Sequence, residues 1–241
     1  MTMLKGKTAL VTGSGRGIGR ATAQLLAERG AKVAVCARTA GEVDETVKLI
    51  AAKGGVAKGF TCDVSDEAQV KKLFEGVQRE FGGLDILVNN AGVFGGTFVA
   101  NTSLEEFNRV FAVNTAGVFL CCREAFNLMK GKGGSIVNVS SLAGVQGVEK
   151  FPGFGAYTVS KFGVVGLTEV LAVEGKKYGI RANVVAPGAV NTAMLHSAFP
   201  NSDFVMLSPE QVASAIAFLA GPESSGVSGV VLPLHSDLLK G

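Results

Sequence analysis

The stretch TALVTGSGRGIG at residues 8–19 constrains the fold of this chain more than any other feature. Residues 8–11 are a short apolar and β-branched run typical of a buried parallel strand, and residues 20–29 show the apolar spacing of a helix. The glycines between them permit positive φ angles and a close approach of the backbone to a ligand. A helix that starts here presents free N–H groups and the positive end of its dipole to a phosphate. The stretch therefore predicts a dinucleotide-binding turn between a strand and a helix.

The spacing of these glycines leaves a second interpretation open. Thr12, Gly13, Gly17 and Gly19 form the pattern T-G-x-x-x-G-x-G, which departs from the strict dinucleotide pattern G-x-G-x-x-G. A glycine cluster between a strand and a helix is also compatible with a plain tight turn. The choice between the two depends on the rest of the chain.

Length and composition favour a single globular domain. The 241 residues are 47% hydrophobic and 18% charged, which is enough for one large core, so we expect one domain over residues 1–241. The 33 glycines show no triplet period and suit many strand-to-helix turns. The net charge of +3 comes from 23 basic and 20 acidic residues spread along the chain, so no nucleic-acid partner is expected.

The cysteines and histidines form no metal-binding pattern. No C-x-x-C pair occurs, and His196 and His235 lack ligand-like spacing. The first residues lack an apolar signal segment, and no run reaches the roughly 18 apolar residues of a membrane-spanning helix. We therefore expect a cytoplasmic protein without a metal or a membrane partner, whose thiols are reduced and mostly buried. These thiols belong to Cys36, Cys62, Cys121 and Cys122.

Strand and helix patterns alternate along the whole chain. Strands are predicted at residues 8–11, 32–36, 56–61, 84–88, 135–140, 181–185 and 227–232, with helices at 20–29, 39–53, 65–81, 103–130, 157–177 and 208–220. The predicted helix caps are Thr39 with Glu42, Ser65, Ser103 with Glu106, and Ser208. This order predicts an α/β, doubly wound, Rossmann-type fold with a seven-stranded parallel sheet flanked by helices on both faces.

The residues after the second predicted strand indicate the type of dinucleotide. In such a sheet the ligand lies at the carboxyl ends of the strands, and NAD-binding proteins carry an acidic residue at this place. This chain has Ala37 and Arg38 instead. A guanidinium there suits the 2′-phosphate of NADP, and Arg16 adds a second positive charge. A solvated arginine at a turn is the alternative.

Two further strand ends carry polar side chains. Asp63, after the third strand, either accepts a hydrogen bond from an adenine amino group or caps the next helix. The run Asn89-Asn90-Ala91-Gly92, after the fourth strand, combines small residues with amides that can bond both a loop and a ligand. Asparagines are common in turns, so this run alone is a weak indication.

Tyr157 and Lys161 form a candidate pair for chemistry, although a lysine four residues after a tyrosine also arises by chance and the pair alone is a weak indication. Their spacing of four places both side chains on one face of the predicted helix at 157–177. A tyrosine with a pKa near 10 is a poor acid or base at neutral pH, and a neighbouring ammonium is expected to lower that pKa. The only other tyrosine, Tyr178, has no such partner.

Taken together, these motifs resemble the short-chain dehydrogenase/reductase family over nearly the whole chain. The matching residues are Thr12-Gly13-x-x-x-Gly17-Ile18-Gly19, Asp63, Asn89-Asn90-Ala91-Gly92, Asn114, Ser141, Tyr157 with Lys161, and Pro187-Gly188 with Thr192. The resemblance implies catalytic roles for four residues. Tyr157 is the general acid/base, Ser141 polarises the substrate oxygen, Lys161 binds the nicotinamide ribose and tunes the tyrosine, and Asn114 holds a relay water.

The resemblance also implies a cofactor-binding set, in which Val190 and Thr192 contact the nicotinamide carboxamide. The full set is Gly13, Ser14, Arg16, Gly17, Ile18, Gly19, Arg38, Asp63, Val64, Asn90, Ala91, Gly92, Tyr157, Lys161, Pro187, Gly188, Val190 and Thr192.

The function implied by the resemblance is an NADP(H)-dependent oxidoreductase that moves hydride between the nicotinamide and a carbonyl or secondary alcohol. A 3-oxoacyl-carrier-protein reductase is the first candidate, with hydroxysteroid or sugar-alcohol dehydrogenases as alternatives. A non-catalytic NADP-binding regulator is the alternative from another class. Family members commonly pair the helices at 103–130 and 157–177, so we expect a homotetramer, with a dimer as second choice.

Two segments depart from the family pattern. The link from Ser141 to Tyr157 is longer than usual and contains the apolar insert KFPGF at residues 150–154, beside the expected substrate. Residues 193–207 are too short for two packed helices and too apolar for a solvated loop. We expect these residues to form a mobile, partly open lid that becomes ordered over cofactor or substrate and favours bulky hydrophobic carbonyls. The alternative is that the segment packs permanently against its own subunit or a neighbouring one and makes a narrow, rigid site.

Overall fold

The computed structural model describes residues 3–236, and strands alternate with helices through all of them. The strands are β1 (Thr8–Thr12), β2 (Lys32–Ala37), β3 (Val56–Thr61), β4 (Ile86–Asn89), β5 (Gly134–Val139), β6 (Ile180–Pro187) and β7 (Val231–Leu234). The helices are α1 (Gly17–Glu28), α2 (Ala40–Ala52), α3 (Glu67–Phe81), α4 (Leu104–Phe111), α5 (Gly117–Met129), α6 (Gly155–Gly175), α7 (Ala193–Ala198) and α8 (Pro209–Ala220).

The strands form one parallel sheet in the order β3-β2-β1-β4-β5-β6-β7. The first three strands therefore extend to one side and the last four to the other, with the reversal between β1 and β4. Two apolar clusters pack on the sheet, one containing Leu26 and Ile216 and the other Phe74 and Met129. The predicted doubly wound fold is confirmed, and the crevice at its reversal point is where such sheets bind ligands.

Helix starts follow the predicted caps at two places. The Ser103 hydroxyl accepts a hydrogen bond from the N–H of Glu106, as predicted for the start of α4. Ser208 and Gln211 form a complete capping box at the start of α8. Hydroxyl and amide groups at these positions satisfy N–H groups that the helix itself leaves without partners.

Two predicted caps were wrong. Asp66, not Ser65, caps α3, because its carboxylate accepts from the N–H groups of both Ala68 and Gln69 at 2.9 and 3.1 Å. Ser65 instead donates its hydroxyl to Asp63. Thr39 precedes α2 but makes no capping hydrogen bond with its side chain. An ionised carboxylate is the stronger partner for the positive end of a helix, which explains the choice at α3.

The helix predicted at 103–130 is interrupted. A π-helical stretch, Ala112–Ala116, separates α4 from α5. Single π turns inside helices often mark functional positions.

The last strand lies later than predicted, at Val231–Leu234 instead of residues 227–232. The carbonyl of Val227 accepts hydrogen bonds from the side chains of Arg181 and Asn183, at 3.0 Å each. That carbonyl is therefore engaged by side chains before β6 and β7 begin to pair at Val184 and Val231.

The segment that ends in the 3₁₀ turn after α6 is the one helix among residues 3–236 that is long and apolar enough to cross a membrane by length and composition. It covers Gly155–Tyr178 with a mean hydropathy of 1.3. The helix packs along β6 and carries the buried Lys161, which is the arrangement of a core helix.

Candidate active site

A cleft of about 740 Å³ lies at the carboxyl ends of the strands, across the reversal of the sheet. Its glycine end, which follows β1, β2 and β3, is formed by Gly13, Arg16, Arg38, Glu42 and Asp63. Its aromatic end, which follows β4, β5 and β6, is formed by Phe94, Phe151, Phe154, Phe199 and Phe204. Tyr157 and Lys161 also line the cleft.

All of the predicted site residues line this cleft except three. Ser14, Gly19 and Asn114 lie behind its wall. The Ser14 hydroxyl donates to the carbonyl of Val11 at 2.7 Å and accepts from the N–H of Cys36 at 2.9 Å. Ser14 is therefore buried between β1 and β2, where its side chain fixes the glycine turn from below.

The glycine turn has the backbone geometry that phosphate binding requires. Gly13 and Gly17 have φ angles of +63° and +54°. A Cβ on Gly13 would lie 2.8 Å from the Cα of Ala91, and one on Gly19 would collide with the carbonyl of Gly13. Arg16, at the start of α1, makes no side-chain capping bond. The first N–H groups of α1 therefore face the cleft without a side-chain partner, which suits a pyrophosphate.

Both arginines of the glycine end are paired with carboxylates. Arg16 Nη1 lies 3.5 Å from Glu42 Oε1, and Arg38 Nη1 lies 3.9 Å from Asp63 Oδ2. The arginine side chains are 67% and 62% exposed. Exposed pairs of this kind are weak, so each guanidinium can turn towards a bound anion. Sequence reasoning assigned Glu42 only to a helix cap and missed its position in the cleft.

Asp63 does not cap α3, which was one of its two predicted roles, and its contact with an adenine amino group stays a prediction. Its Oδ1 accepts from the backbone N–H and the hydroxyl of Ser65, at 3.0 and 2.7 Å. It therefore holds the turn that leads into α3, while Asp66 caps the helix itself.

A hydroxyl and an amide join the glycine turn to the segment after β4. The Thr12 hydroxyl accepts from the N–H groups of Asn90 and Ala91, at 3.1 Å each. The Asn90 side-chain amide donates to the carbonyls of Thr12 and Gly13, also at 3.1 Å. The Asn90 Nδ2 atom is thus occupied by protein, which leaves its Oδ1 for any ligand.

Ser141, Tyr157 and Lys161 meet at the carboxyl end of β5. Ser141 follows the strand, and its hydroxyl accepts from the N–H of Ala143 at 3.2 Å and is hydrogen-bonded to the Tyr157 phenol. Lys161 Nζ donates to the carbonyl of Val139 at 3.0 Å and lies 5.6 Å from the centroid of the Tyr157 ring. The three polar groups therefore share one small region of the cleft.

Burial controls the protonation of this group. Burial raises the pKa of Tyr157 to about 12, and the hydrogen bond with Ser141 acts in the opposite direction. Burial also lowers the pKa of Lys161 to about 8. The expected lowering of the tyrosine pKa by the ammonium was wrong for this structure, because the loss of solvation of the phenolate outweighs it. Tyr157 is thus a protonated phenol at neutral pH.

Asn114 lies in the π-helical stretch and is fully buried. Its Oδ1 accepts from the N–H of Val93 at 2.8 Å, and its Nδ2 donates to the Val93 carbonyl at 2.9 Å and to the Ser160 hydroxyl at 3.1 Å. The side chain therefore ties the segment after β4 to α6, two elements that face the cleft.

The aromatic end is a continuous set of ring contacts around Tyr157. Phe94 lies 5.3 Å from the tyrosine ring centroid and 4.9 Å from that of Phe154. Phe199 lies 5.7 Å from Phe94 and 5.8 Å from Phe154. Phe151 and Phe204 extend the set outward, at 5.4 Å from Phe154 and 5.6 Å from Phe199. Sequence reasoning identified the insert and the lid but missed Phe94, which stands five residues after β4.

Within residues 3–236, no group of three or more His, Cys, Asp or Glu side chains could hold a metal ion. The four cysteines are buried and free.

Residues 7–203 match the family model described as short chain dehydrogenase. This chain belongs to the short-chain dehydrogenase/reductase family. Its members are oxidoreductases that bind a nicotinamide cofactor and act on alcohol and carbonyl groups. The resemblance predicted from the motifs is confirmed.

Relatives and solved structures of the family cover most of the chain. The 2,5-dichloro-2,5-cyclohexadiene-1,4-diol dehydrogenase of Sphingobium indicum is 47% identical over 83% of this chain and 79% of its own length. The 3-oxoacyl-[acyl-carrier-protein] reductase of Synechocystis sp. is 39% identical over 95% of both chains. The crystal structure of levodione reductase superposes with a TM-score of 0.92 at 31% identity and covers 98% of each chain.

Proposed function

We propose that this short-chain dehydrogenase/reductase transfers hydride between NADP(H) and a carbonyl or secondary alcohol carbon, with Tyr157 as the general acid/base. The observation that carries the proposal is the meeting of Tyr157, Ser141 and Lys161 in the cleft that also contains the glycine turn. A non-catalytic NADP-binding protein would not require these three side chains to lie together. We further propose that residues 1–241 act as one cofactor-binding and catalytic domain.

Each residue of the group has a defined task in the reduction of a carbonyl. When bound, the nicotinamide supplies the hydride. The Ser141 and Tyr157 hydroxyls both donate to the carbonyl oxygen and polarise it, and Tyr157 then gives up its proton to that oxygen. A pKa raised to about 12 keeps Tyr157 protonated until this step.

Lys161 binds the nicotinamide ribose and orients it relative to Tyr157. One of its three N–H donors is held by the Val139 carbonyl, which leaves two for the nicotinamide ribose and for the phenolate that forms on Tyr157. In the direction of alcohol oxidation Tyr157 must first lose its proton, and a charged Lys161 favours that form. The buried Asn114 holds the backbone around this group, and we propose that it also positions a relay water.

The glycine end supports a preference for NADP(H) over NAD(H). Ala37 leaves the place of the usual acidic residue without a carboxylate, while Arg38 and Arg16 line the same end of the cleft. Their exposed guanidinium groups can bind a 2′-phosphate, whereas the carboxylates of Glu42 and Asp63 reduce the net positive charge there.

The test is a cofactor and substrate panel scored by the oxidation of NADPH or NADH. The panel covers acyl thioesters, steroids, quinones, small aldehydes and ring ketones. Turnover of at least one class with a higher kcat/KM for NADPH supports the proposal. Turnover with an equal or higher kcat/KM for NADH removes the NADP preference, and tight NADPH binding without turnover of any class favours a regulatory role.

Two relatives suggest different substrates within this reaction. One is named for an acyl-carrier-protein thioester, and the other for a diol of a cyclohexadiene ring. Oxidoreduction of a 3-oxoacyl thioester is therefore one candidate activity, and oxidoreduction of a ring-bearing alcohol or ketone is the second. The aromatic end of the cleft favours the second candidate.

We propose a homotetramer in the cytoplasm, with a dimer as second choice. Apolar side chains are exposed on the helices that the family commonly pairs, including Leu104, Phe119, Val170 and Val173. Burial of these side chains between subunits would remove them from water. Light scattering at micromolar concentration tests this proposal, because a monomer has a mass of 24.7 kDa.

A further inference from the structure

The rings of the aromatic end come from three segments that are distant in sequence. Phe94 follows β4, Phe151 and Phe154 precede α6 in the insert, and Phe199 and Phe204 follow α7. Phe154 makes an edge contact with Phe94 and a nearly parallel one with Phe199, with interplanar angles of 72° and 29°. Three segments thus present ring faces and edges to the space beside Tyr157.

The insert that carries two of these rings is held by a lysine. Lys150 Nζ donates to the carbonyls of Leu142 and Val145, and lies 5.3 Å from the centroid of the Phe162 ring. Leu142 directly follows Ser141. The ammonium therefore fixes the insert against the turn that positions the Ser141 hydroxyl, and its charge is directed at backbone carbonyls instead of the cleft.

Charges at the aromatic end are negative. Glu149 and Asp203 line the cleft there, and both are exposed. The nearby Arg109 is bound to Glu106 at 2.8 Å and to the carbonyl of Phe94 at 3.2 Å. Among the cleft-lining residues of the described chain, the lysine and arginine side chains are Arg16 and Arg38 at the glycine end and Lys161 beside Tyr157. The cation nearest to the rings is therefore Lys161, and its two remaining N–H donors are assigned to the nicotinamide ribose and to Tyr157.

We propose that the aromatic end selects neutral, ring-bearing ketones and secondary alcohols and discriminates against anionic substrates, with Phe94, Phe154 and Phe199 as specificity-determining residues. This inference rests on the proposed oxidoreductase function. A flat ring gains offset and edge contacts with aromatic side chains that an open chain of equal size cannot make. A carboxylate or phosphate in the same place is repelled by Glu149 and Asp203, and the nearest cation, Lys161, is committed to the cofactor and to Tyr157.

A panel of three matched carbonyl compounds tests the selection. Acetophenone, an open-chain ketone with the same number of carbon atoms, and a keto acid of similar size are compared by kcat/KM with saturating cofactor. We expect the ring ketone to exceed the open-chain ketone by roughly tenfold, from two or three ring contacts of about twofold to tenfold each, and to exceed the keto acid by more.

Substitutions of the phenylalanines test whether their rings cause the preference for ring ketones. Phe154→Leu and Phe199→Leu should each reduce the ratio of ring to open-chain kcat/KM by roughly threefold to tenfold, with a larger effect on KM than on kcat. Phe218→Leu, on the exposed side of α8 and outside the cleft, is the matched control and should leave the ratio unchanged. Circular dichroism and binding of NADPH show whether each variant is folded.

Charge variants test the second half of the proposal. The double change Glu149→Gln with Asp203→Asn should raise kcat/KM for the keto acid by roughly threefold to tenfold and leave that for acetophenone within about twofold. Equal or better turnover of the open-chain ketone or the keto acid by the wild type overturns the inference but leaves the oxidoreductase function intact. Ratios that do not change in folded phenylalanine variants also overturn it. Absence of turnover with every carbonyl and alcohol, with NADPH and with NADH, contradicts the proposed function itself.

Discussion

The glycine end and the aromatic end of the cleft are built in different ways. The glycine end consists of turns that follow adjacent strands, and hydrogen bonds of Ser14 and Thr12 to the neighbouring strand and turn hold it in place. The aromatic end is assembled from rings that lie more than a hundred residues apart in sequence, between Phe94 and Phe204. The cofactor site is therefore a property of the strand–turn–helix unit, whereas the substrate site is a property of three loops that can vary independently of it.

Tyr157 lies between the two ends of the cleft, and substitution of this residue should have the largest effect on kcat. Tyr157→Phe keeps the ring contacts with Phe94 and Phe154 but deletes the proton donor, so kcat should fall by about 10²-fold or more while NADPH still binds. Steady-state kinetics and a direct NADPH titration measure the two quantities. Tyr178→Phe, outside the cleft, is the control. If the Tyr157 variant keeps more than about a tenth of kcat, Tyr157 is not the acid.

The burial of Lys161 between the two ends of the cleft should reduce the free energy of unfolding. Its pKa is lowered by burial from 10.5 to about 8, so the folded protein binds this proton less readily than the unfolded chain does. The free energy of unfolding therefore falls as pH decreases from 10.5 to 8, by about 3 kcal/mol, and stays reduced below pH 8. Lys161→Met removes this cost but loses a hydrogen bond to Val139 worth about 1 kcal/mol, for a net stabilisation of about 2 kcal/mol at pH 7.

Urea unfolding of wild type and Lys161→Met at neutral and strongly alkaline pH checks this expectation. The gain should shrink as the pH rises from 8, and above pH 10.5, where the lysine is neutral in both states, the variant should be less stable by the roughly 1 kcal/mol of the lost hydrogen bond. Lys176→Met, at an exposed position after α6, is the control and should change stability little at either pH. A gain that is the same at both pH values would show that it comes from packing instead of charge.

Exchange of charge at the glycine end should change cofactor choice without changing substrate choice. In Ala37→Asp with Arg38→Leu, a carboxylate replaces the cation near the 2′-position and repels a phosphate, so the ratio of kcat/KM for NADPH to that for NADH should fall by roughly tenfold. The preference for ring over open-chain ketones should stay the same. A simultaneous change in both preferences would show that the two ends are not independent.

The smallest expected effect is on cofactor choice and comes from the pair between Glu42 and Arg16 at the glycine end. Glu42→Gln removes the carboxylate that pairs with Arg16 at 3.5 Å, so the guanidinium is freed for a 2′-phosphate. The NADPH to NADH ratio should rise by about threefold, since the pair is exposed and weak. Glu45→Gln, at an exposed position on α2, is the matched control. An unchanged or lower ratio would mean that Arg16 does not contribute to the preference.

The sequence predicted the sheet well because strands and strand ends depend on local runs. Buried runs such as residues 8–11 and 135–140 predict the strand type, and the glycine turn is recognised once its spacing is taken together with the other motifs. Errors arose where neighbouring groups compete. Ser65 was a reasonable cap for α3, but Asp66 stands next to it and provides the stronger acceptor for two N–H groups.

The parts of the site that could not be predicted depend on contacts between distant residues. Nothing near Phe94 in the sequence indicates that it meets Phe154 and Phe199. The tyrosine pKa was misjudged because the spacing to Lys161 is visible in the sequence, whereas the burial of the phenol is not. The π-helical stretch around Asn114 was likewise missed, because the sequence pattern predicted one continuous helix over residues 103–130.

The hydrogen bonds between Thr12 and Asn90 affect the order in which the enzyme binds its cofactor and its substrate. The segment that contains Asn90 continues through Val93 to Phe94 at the aromatic end. Asn114 forms hydrogen bonds with both the N–H and the carbonyl of Val93. A nucleotide that settles on the glycine turn therefore steadies the backbone that carries Phe94, before any ketone reaches it. We expect an ordered sequence in which the nucleotide enters first and leaves last.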